Sequence, residues 1–304
     1  MPSVVQNILW IVLLLQTGIS VTLNIFIVIV ASKSMKSGLK VSPPDVIHLL
    51  MGLMNIILQS CLMVQGFLYI FHLSALFIKE VYLPIIVLIL TVIYFNSWLN
   101  AWLSSFYCTS IVNFTHQLFL WSKKIISTSL WLLLLLSALW SCIISVSSIW
   151  AFNVETESNS FNNCTGGSSF IKGTFYFSHF YVQIATFLGS FLPFLLTFLS
   201  ILLTFSSLIK HVRKMKQNYK GFTQQTHINA IRKMCLLFIL TIIFYIAQSM
   251  FFSSKPSSSP DALVIISYSV ILNFPTANAF IIIQASSKIQ KLFKRTLCLR
   301  KYGN

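Results

Sequence analysis

The chain has 304 residues, of which 56% are hydrophobic and only 9% are charged, with 21 Lys and Arg against five Asp and Glu. A soluble domain carries roughly 25% charged residues, so this composition excludes an ordinary water-soluble protein and indicates a chain surrounded by lipid. The net charge of +16 does not indicate nucleic-acid binding, because the basic residues lie in short segments between long apolar runs.

Seven apolar runs follow one another along the chain, and each is long enough to cross a bilayer as a helix, which takes about 20 residues. They cover residues 8–31, 46–71, 81–112, 127–150, 180–208, 234–252 and 262–284. The runs do not show the short alternating segments of barrel strands. The sequence therefore predicts an all-α membrane protein, a seven-transmembrane helix bundle that forms one domain over residues 1–304.

Alternate connecting segments differ sharply in charge. One set holds 18 Lys or Arg and one acid, and it consists of 32–45, 113–126, 209–233 and 285–304. The other set holds three Lys or Arg and four acids, and it consists of 1–7, 72–80, 151–179 and 253–261. Because basic loops stay on the cytoplasmic side, we expect a multi-pass plasma-membrane protein with an extracellular N-terminus and a basic cytoplasmic tail over 285–304.

The connection after the fifth run is the most basic, since residues 208–222 hold five Lys or Arg and no acid. One interpretation is topology together with attraction to anionic lipid. The other is a docking surface for a cytoplasmic partner. The sequence leaves both open.

Two candidate modification sites lie outside the apolar runs. Asn163 begins an N-x-T acceptor in the longest outer segment, where glycosylation is expected. Cys298 lies in the basic tail near the membrane and is a candidate for S-palmitoylation. The sequence does not decide whether the protein forms oligomers.

The apolar runs contain amides and imidazoles but no Asp, Glu, Lys or Arg. An ion transporter usually carries intramembrane charge, and ordinary interhelical hydrogen bonds explain isolated amides equally well. No motif for a metal, a phosphate or a catalytic nucleophile is present, so we expect neither an enzyme nor a cofactor. The amides and imidazoles singled out within the runs are Asn24, His48, Asn55, Asn96, Asn100, Gln183, Gln248, Asn273 and Asn278.

Several segments carry a family resemblance. The chain reads VSPPDVIHLL before the second span, WLNAWLSSFYCTSIVNFTHQLFLWSKK at the end of the third, SLIKHVRKMKQNYKG after the fifth and NFPTANAFIIIQASSKIQK in the last. These segments resemble the vertebrate bitter taste receptors (type 2 taste receptors), in order and over nearly the whole chain. The match in and after the third span is the most specific.

The chain also departs from that family's pattern, as a divergent member would. Ser110 stands where the family has Lys, Asn55 where many members have Arg, and Asn278 where the family has His. At two positions of the third span where members often hold ligands with Trp and Asn, this chain has Ile89 and Ile93. We therefore expect a more apolar ligand pocket than is usual in the family.

The resemblance implies a G-protein-coupled chemosensory receptor that detects small, bitter, lipophilic molecules. It would activate a heterotrimeric, gustducin-like G protein at the cytoplasmic face, leading to phospholipase C and calcium signalling. We expect the pocket between the outer halves of spans three, five, six and seven, closed above by 151–179. The candidate ligand-binding residues are Ile89, Ile93, Tyr94, Asn96, His179, Gln183, Gln248, Phe251 and Tyr268. The candidate G-protein-coupling residues are Tyr107, Ser110, Lys210, His211, Arg213, Lys214 and Lys216.

Two other functions compete with this interpretation. A type 1 vomeronasal-like pheromone receptor shares the architecture, but the third-span ending argues against it. A transporter or channel is disfavoured by the missing intramembrane charge. For each aromatic candidate, packing in the core or against lipid is at least as expected as ligand contact.

Overall fold

The structure is a computed structural model, and it describes the chain in separate stretches. For residues 208–215 and 222–234, and over most of the two strands, only the backbone is described. The described residues are 4–37, 42–71, 79–112, 124, 126, 128–156, 173–215, 222–253, 262–285, 289–290 and 292–293.

Seven helical elements carry the seven predicted apolar runs. The fifth, α5, has three sections: an α-helical start, a π-helical turn and a long α-helical end. The elements are α1 (Val4–Ser37), α2 (Pro43–Ile70), α3 (Lys79–Ile111), α4 (Leu130–Val146), α5 (His179–Thr186, Phe187–Phe191 and Leu192–Met215), α6 (Phe222–Ser253) and α7 (Ala262–Ala285). The protein is therefore a seven-transmembrane helix bundle, as predicted.

Six of these elements contain a stretch that is long and apolar enough to cross a membrane, whereas the apolar part of α6, Cys235–Phe251, is shorter. Yet α6 begins at Phe222, 12 residues before the predicted run at 234–252. Hydropathy follows side chains, but helical hydrogen bonds continue along the backbone beyond the lipid boundary. The apolar pattern therefore underestimates the length of this helix.

A short β-hairpin between α4 and α5 was not predicted. Strands β1 (Phe152–Thr156) and β2 (Gly173–Phe177) pair antiparallel. The Ser178 N–H donates to the Ala151 carbonyl over 3.0 Å, and the Ser178 hydroxyl accepts from the Tyr181 N–H over 3.2 Å. This N-cap ties the hairpin to the start of α5. The remaining residues of the predicted covering segment, including Asn163, lie outside the described part.

Buried apolar side chains form two clusters, which we name after the predicted orientation. The inner cluster is built mainly of aliphatic side chains, including Ile27, Ile47, Met51, Leu99, Leu103, Leu237 and Ile282. The outer cluster includes Leu58, Leu62, Ile86, Ile89, Ile93, Tyr94, Phe244, Ile271 and Phe274. Together the two clusters run along the length of the bundle.

Lipid-facing surface is most evident on α1 and α4, whose large apolar side chains are widely exposed. Trp131 and Trp150 lie near the two ends of the α4 region and are 64% and 80% exposed. Their separation of 19 residues corresponds to about 28 Å of helix, close to the roughly 30 Å hydrocarbon core. The two indoles therefore fit the aromatic belts at the membrane interfaces.

The predicted basic tail begins where α7 ends, at Ala285. Ile289 is buried in the inner cluster, and the Phe293 ring contacts Phe26 of α1 with centroids 5.3 Å apart. The start of the tail therefore packs against the bundle, while Cys298 lies outside the described residues.

Candidate ligand site and cytoplasmic face

A chain of buried amides connects four helices between the two clusters. Asn96 of α3 donates to Asn55 of α2 over 3.2 Å, and Asn55 donates to Asn24 of α1 over 2.9 Å. Asn24 reaches the Ser20 carbonyl at 2.8 Å and the Pro275 carbonyl of α7 at 3.4 Å. These amides therefore make the interhelical hydrogen bonds that the alternative interpretation of intramembrane amides predicts.

A small cavity of ≈ 10 Å³ lies within the outer cluster. This is room for about one water molecule. Four predicted ligand-binding residues meet there: Ile89, Ile93, Phe251 and Tyr268. The other lining residues are Leu62 and Gln65 of α2, Ile86 of α3 and Ile271 of α7.

The α2 contribution is the part of this site that the sequence interpretation missed. A signal was present, since Asn55, Gln59, Leu62 and Gln65 recur at helical spacing and all are buried. Polar residues buried on one face of an apolar helix point toward the bundle interior. The described cavity thus lies between α2, α3, α6 and α7, whereas the predicted pocket included span five instead of span two.

Tyr268 holds the wall of the cavity in place. Its hydroxyl donates to the Leu62 carbonyl over 3.0 Å, which ties α7 to α2. Its ring lies 5.8 Å from the Phe251 ring of α6, measured between centroids. The Gln65 amide is therefore the other polar side chain that this mainly apolar site offers to a ligand.

Three other ligand candidates are buried, but they are not among the residues that line this cavity. Asn96 belongs to the amide chain. The Tyr94 ring packs against Gly189 in the π-helical turn, where a Cβ atom would lie 2.5 Å from the ring. Gln248 accepts a hydrogen bond from Ser190 over 3.3 Å. Tyr94 and Gln248 thus mark the contact of α5 with α3 and α6.

The two ligand candidates in α5 are Gln183, whose side chain is described, and His179, whose side chain is not. Gln183 is exposed and is not among the residues lining the cavity. His179 is the first residue of α5, and only its backbone is described. For both residues, ligand contact stays a prediction.

The π-helical turn of α5 is held on two sides, by the Tyr94 ring of α3 and by a hydrogen bond from α4. The Trp140 indole of α4 donates to the Leu188 carbonyl over 3.2 Å. Because π-helical turns interrupt the regular backbone hydrogen bonds and often mark functional sites, this turn identifies the outer part of α5 as a specialised region.

The candidate G-protein-coupling residues that the structure describes lie at the ends of α3 and α5, on the predicted cytoplasmic side. Tyr107 is half-buried and Ser110 is exposed, with its hydroxyl donating to the Phe106 carbonyl over 2.8 Å. The candidates Lys210, His211, Arg213 and Lys214 belong to the end of the last helical section of α5, where only the backbone is described, and Lys216 lies outside the described residues.

The inner ends of α1 and α2 are linked as well. The Ser34 hydroxyl donates to the Asp45 carboxylate. Among the residues that the structure describes, no group of three or more His, Cys, Asp or Glu could hold a metal ion.

Comparison with known proteins decides the family. Residues 1–301 match the family model described as Taste receptor protein (TAS2R). This chain belongs to the taste receptor family. The predicted resemblance is confirmed, and the match favours it over the vomeronasal alternative.

Individual relatives show how far this member has diverged. Taste receptor type 2 member 2 from Homo sapiens is 28% identical over 293 residues, covering 94% of this chain and 93% of the relative. Member 9 from Pongo pygmaeus is 28% identical over 306 residues, covering 98% and 95%. Member 40 from Gallus gallus is 25% identical over 307 residues, covering 98% and 96%. The chain is therefore a divergent, full-length match to these receptors.

Proposed function

We propose that this taste receptor is a plasma-membrane chemosensory receptor for small, lipophilic, bitter molecules. Its N-terminus would be extracellular, and its cytoplasmic face would activate a heterotrimeric, gustducin-like G protein, with phospholipase C and calcium release downstream. The similar proteins carry the name taste receptor type 2, and the distribution of basic residues supports the orientation.

The observation that carries this proposal is the meeting of Ile89, Ile93, Phe251 and Tyr268 around one cavity. Small-molecule sites in proteins measure roughly 300–1,000 Å³, far more than the ≈ 10 Å³ found here. An agonist must therefore enlarge the cavity by moving its walls apart. The described arrangement is the closed form of the site.

The lining predicts the chemistry of the agonist. Most of the lining is apolar, the Tyr268 hydroxyl is already bonded to Leu62, and Gln65 supplies an amide. A ligand with a large apolar body and one polar group fits this surface. With few directional bonds we expect micromolar binding, which corresponds to about −8 kcal/mol.

Activation follows as a shift between two helix arrangements. The agonist must bind the expanded arrangement more tightly than the closed one. The Tyr268–Leu62 hydrogen bond joins α7 to α2 beside the cavity. Helix movements that enlarge the cavity would therefore strain this hydrogen bond. Displacement of α6 and α7 would then be carried along both helices toward the cytoplasmic face.

The backbone of α5 and α6 supports G-protein docking at that face. α5 remains helical to Met215, eight residues beyond the end of its apolar stretch at Ser207, and α6 starts 13 residues before Cys235. At 1.5 Å per residue these extensions reach about 12–20 Å beyond the apolar parts. Their cations would steer an acidic partner surface.

The test is calcium release in cells that express the full chain with or without a gustducin-like Gα subunit. A panel of bitter and lipophilic compounds should contain agonists whose response requires the Gα subunit. Ile89→Ala widens the cavity and should shift the agonist concentration for half-maximal response severalfold. The lipid-exposed Ile243→Ala is the matched control and should not.

Two results would contradict the proposal. One is an equal effect of both variants on the response, which would place the ligand elsewhere. The other is compound-dependent flux across the membrane without any G protein, which would indicate a transporter.

A further inference from the structure

A second and larger cavity lies on the surface of the bundle, between α6 and α7. Its volume is ≈ 350 Å³, within the range of small-molecule sites. Two of the α7 lining residues, Ile265 and Ile266, are more than half exposed, so the groove opens to the bilayer. The lining residues are Leu240 and Phe244 of α6 and Ile265, Ile266, Ser269, Val270, Asn273, Phe274 and Ala277 of α7.

The groove contains one polar group that its surroundings leave unmatched. The Asn273 amide nitrogen donates to the Ser269 carbonyl over 2.8 Å, and the Ser269 hydroxyl donates to the Ile265 carbonyl over 2.8 Å. Within the described part of the chain, no donor reaches the carbonyl oxygen of the exposed Asn273 side chain. This oxygen is an acceptor that requires a donor from an occupant.

The depth of Asn273 restricts what that donor can be. Asn273 is the twelfth of the 24 residues of α7, which places it near the middle of a roughly 30 Å hydrocarbon core. Water is absent there, and an unmatched polar group is costly. The hydroxyl groups of membrane lipids lie about 15 Å away at the interface, and acyl chains carry no donor. A molecule that dissolves in the hydrocarbon and brings its own donor is complementary.

The floor of the groove lies close to the small cavity of the outer cluster. The Phe244 and Phe274 rings stack with centroids 3.9 Å apart, and each residue is only 4% exposed. Both residues belong to the outer cluster together with Ile93 and Ile271, which line the small cavity. The aromatic pair therefore lines the bilayer-facing groove and packs in the same cluster as residues that line the candidate ligand site.

We propose that this groove is a second binding site, open to the bilayer, for a small lipophilic molecule with one hydrogen-bond donor, such as an alkylphenol. The donor bonds to the Asn273 carbonyl oxygen, and the apolar body lies along Leu240, Ile265 and Ile266. Binding here does not depend on the proposed signalling function, because its test measures occupancy alone.

A helix of a second receptor copy is the competing occupant, since two Asn273 amides could pair with each other. The shape of the groove favours the small molecule. Packed helices lie 8–10 Å apart, and a helix with its side chains is about 10–12 Å wide. The body of a partner helix is therefore wider than the spacing of α6 and α7, and only its side chains could enter the groove.

Photolabelling tests this proposal in membranes that contain the full chain. The probe is a diazirine derivative of 4-hexylphenol, and labelled residues are located by mass spectrometry. We expect labelling concentrated on the groove, with 4-hexylphenol competing at least tenfold better than hexylbenzene, which lacks the donor. Asn273→Leu should remove this preference for the phenol. Ser60→Leu, at an exposed position of α2, is the control and should retain it.

Other outcomes would overturn the proposal. Equal competition by the two compounds, or labelling spread evenly over the lipid-facing helices, would show that the groove is ordinary lipid-contact surface. Efficient disulfide-linked dimers of an Asn273→Cys variant, together with absent groove labelling, would assign the groove to a second copy. Thermal unfolding of each variant verifies that the receptor is folded.

Discussion

The inner and outer clusters of the bundle have similar apolar character but are packed differently. The inner cluster consists largely of fully buried aliphatic side chains such as Ile27, Ile47 and Leu99. The outer cluster includes the rings of Tyr94, Phe244 and Phe274 and borders both cavities. Both of the cavities described above therefore lie along the outer cluster, where we propose that ligands bind.

The amide chain marks the boundary between these two regions. Asn24, Asn55 and Asn96 connect α1, α2 and α3, and Asn24 also reaches α7. Directional hydrogen bonds restrict sliding more than apolar contacts do. We therefore expect α1, α2 and α3 to stay in register at the boundary when the outer half changes its packing, whereas α7 is held there only by the longer 3.4 Å contact.

Gly189→Ala should have the largest effect, because the new Cβ atom would lie 2.5 Å from the Tyr94 ring. Overpacking of this kind costs about 2–3 kcal/mol. We expect a lower unfolding temperature of the purified receptor and less receptor at the cell surface. Gly18→Ala is the control, since nothing lies within 4 Å of its Cβ position. Equal unfolding temperatures of the two variants would show that the contact between Gly189 and Tyr94 has room for an added methyl group.

Asn55→Leu tests the amide chain at the boundary between the inner and outer clusters. It removes the donor to Asn24 and the acceptor for Asn96, which should lower the free energy of unfolding by about 1–2 kcal/mol. Thermal unfolding measures the loss, and Ser60→Leu on the exposed face of α2 is the matched control. Combining Asn55→Leu with Asn96→Leu should cost less than the sum of the two single changes. Full additivity would mean that the amide chain is not a connected unit.

Neutralising the cations at the end of α5 and just after it tests the predicted cytoplasmic end of the bundle. Replacing Lys210, Arg213, Lys214 and Lys216 with Gln should reduce G-protein coupling about fivefold, equivalent to about 1 kcal/mol. Surface delivery should remain largely intact. The readout is agonist-dependent nucleotide exchange on the G protein in membranes at several salt concentrations, because salt screens such steering.

The matched control for this variant is Lys33→Gln with Lys36→Gln at the inner end of α1. It removes two cations from the same face of the membrane without touching α5. Similar losses in both variants would indicate a general membrane-charge effect, and unchanged coupling in the α5 variant would end the docking interpretation.

Trp140→Phe should have the smallest effect. It deletes the 3.2 Å hydrogen bond from α4 to the Leu188 carbonyl in the π-helical turn, and hydrogen bonds between membrane helices contribute about 0.6 kcal/mol on average. Trp131→Phe, at a 64% exposed position of the same helix, is the control. A lower unfolding temperature for Trp140→Phe than for Trp131→Phe would show that the bond to Leu188 stabilises the outer part of the bundle. Identical unfolding temperatures would show that this bond contributes nothing.

The sequence predicted the helices better than their boundaries. The greater part of each apolar run lies in a helix, because burial in lipid leaves a chain few ways to satisfy its backbone hydrogen bonds. The early start of α6, the π-helical turn at Phe187–Phe191 and the β1–β2 hairpin were not predicted. These features arise from backbone geometry and from contacts with neighbouring elements, to which hydropathy is insensitive.

The candidate site was predicted only in part. Ile89, Ile93, Phe251 and Tyr268 do lie around one cavity, whereas Asn96 joins the amide chain. In sequence, an intramembrane amide looks the same whether it faces a ligand or another helix. Its role depends on how the helices are rotated against one another.

The sequence by itself determined the membrane environment, the number of helical segments and the family, because these depend on local hydropathy and on motifs that are read along the chain. Tertiary structure alone decided that Gln65 lines the cavity and that Tyr94 meets Gly189. It also placed Asn273 in a groove facing lipid. The reason is physical: side chains distant in sequence become neighbours only through helix packing, whose angles and rotations are set jointly by all seven helices.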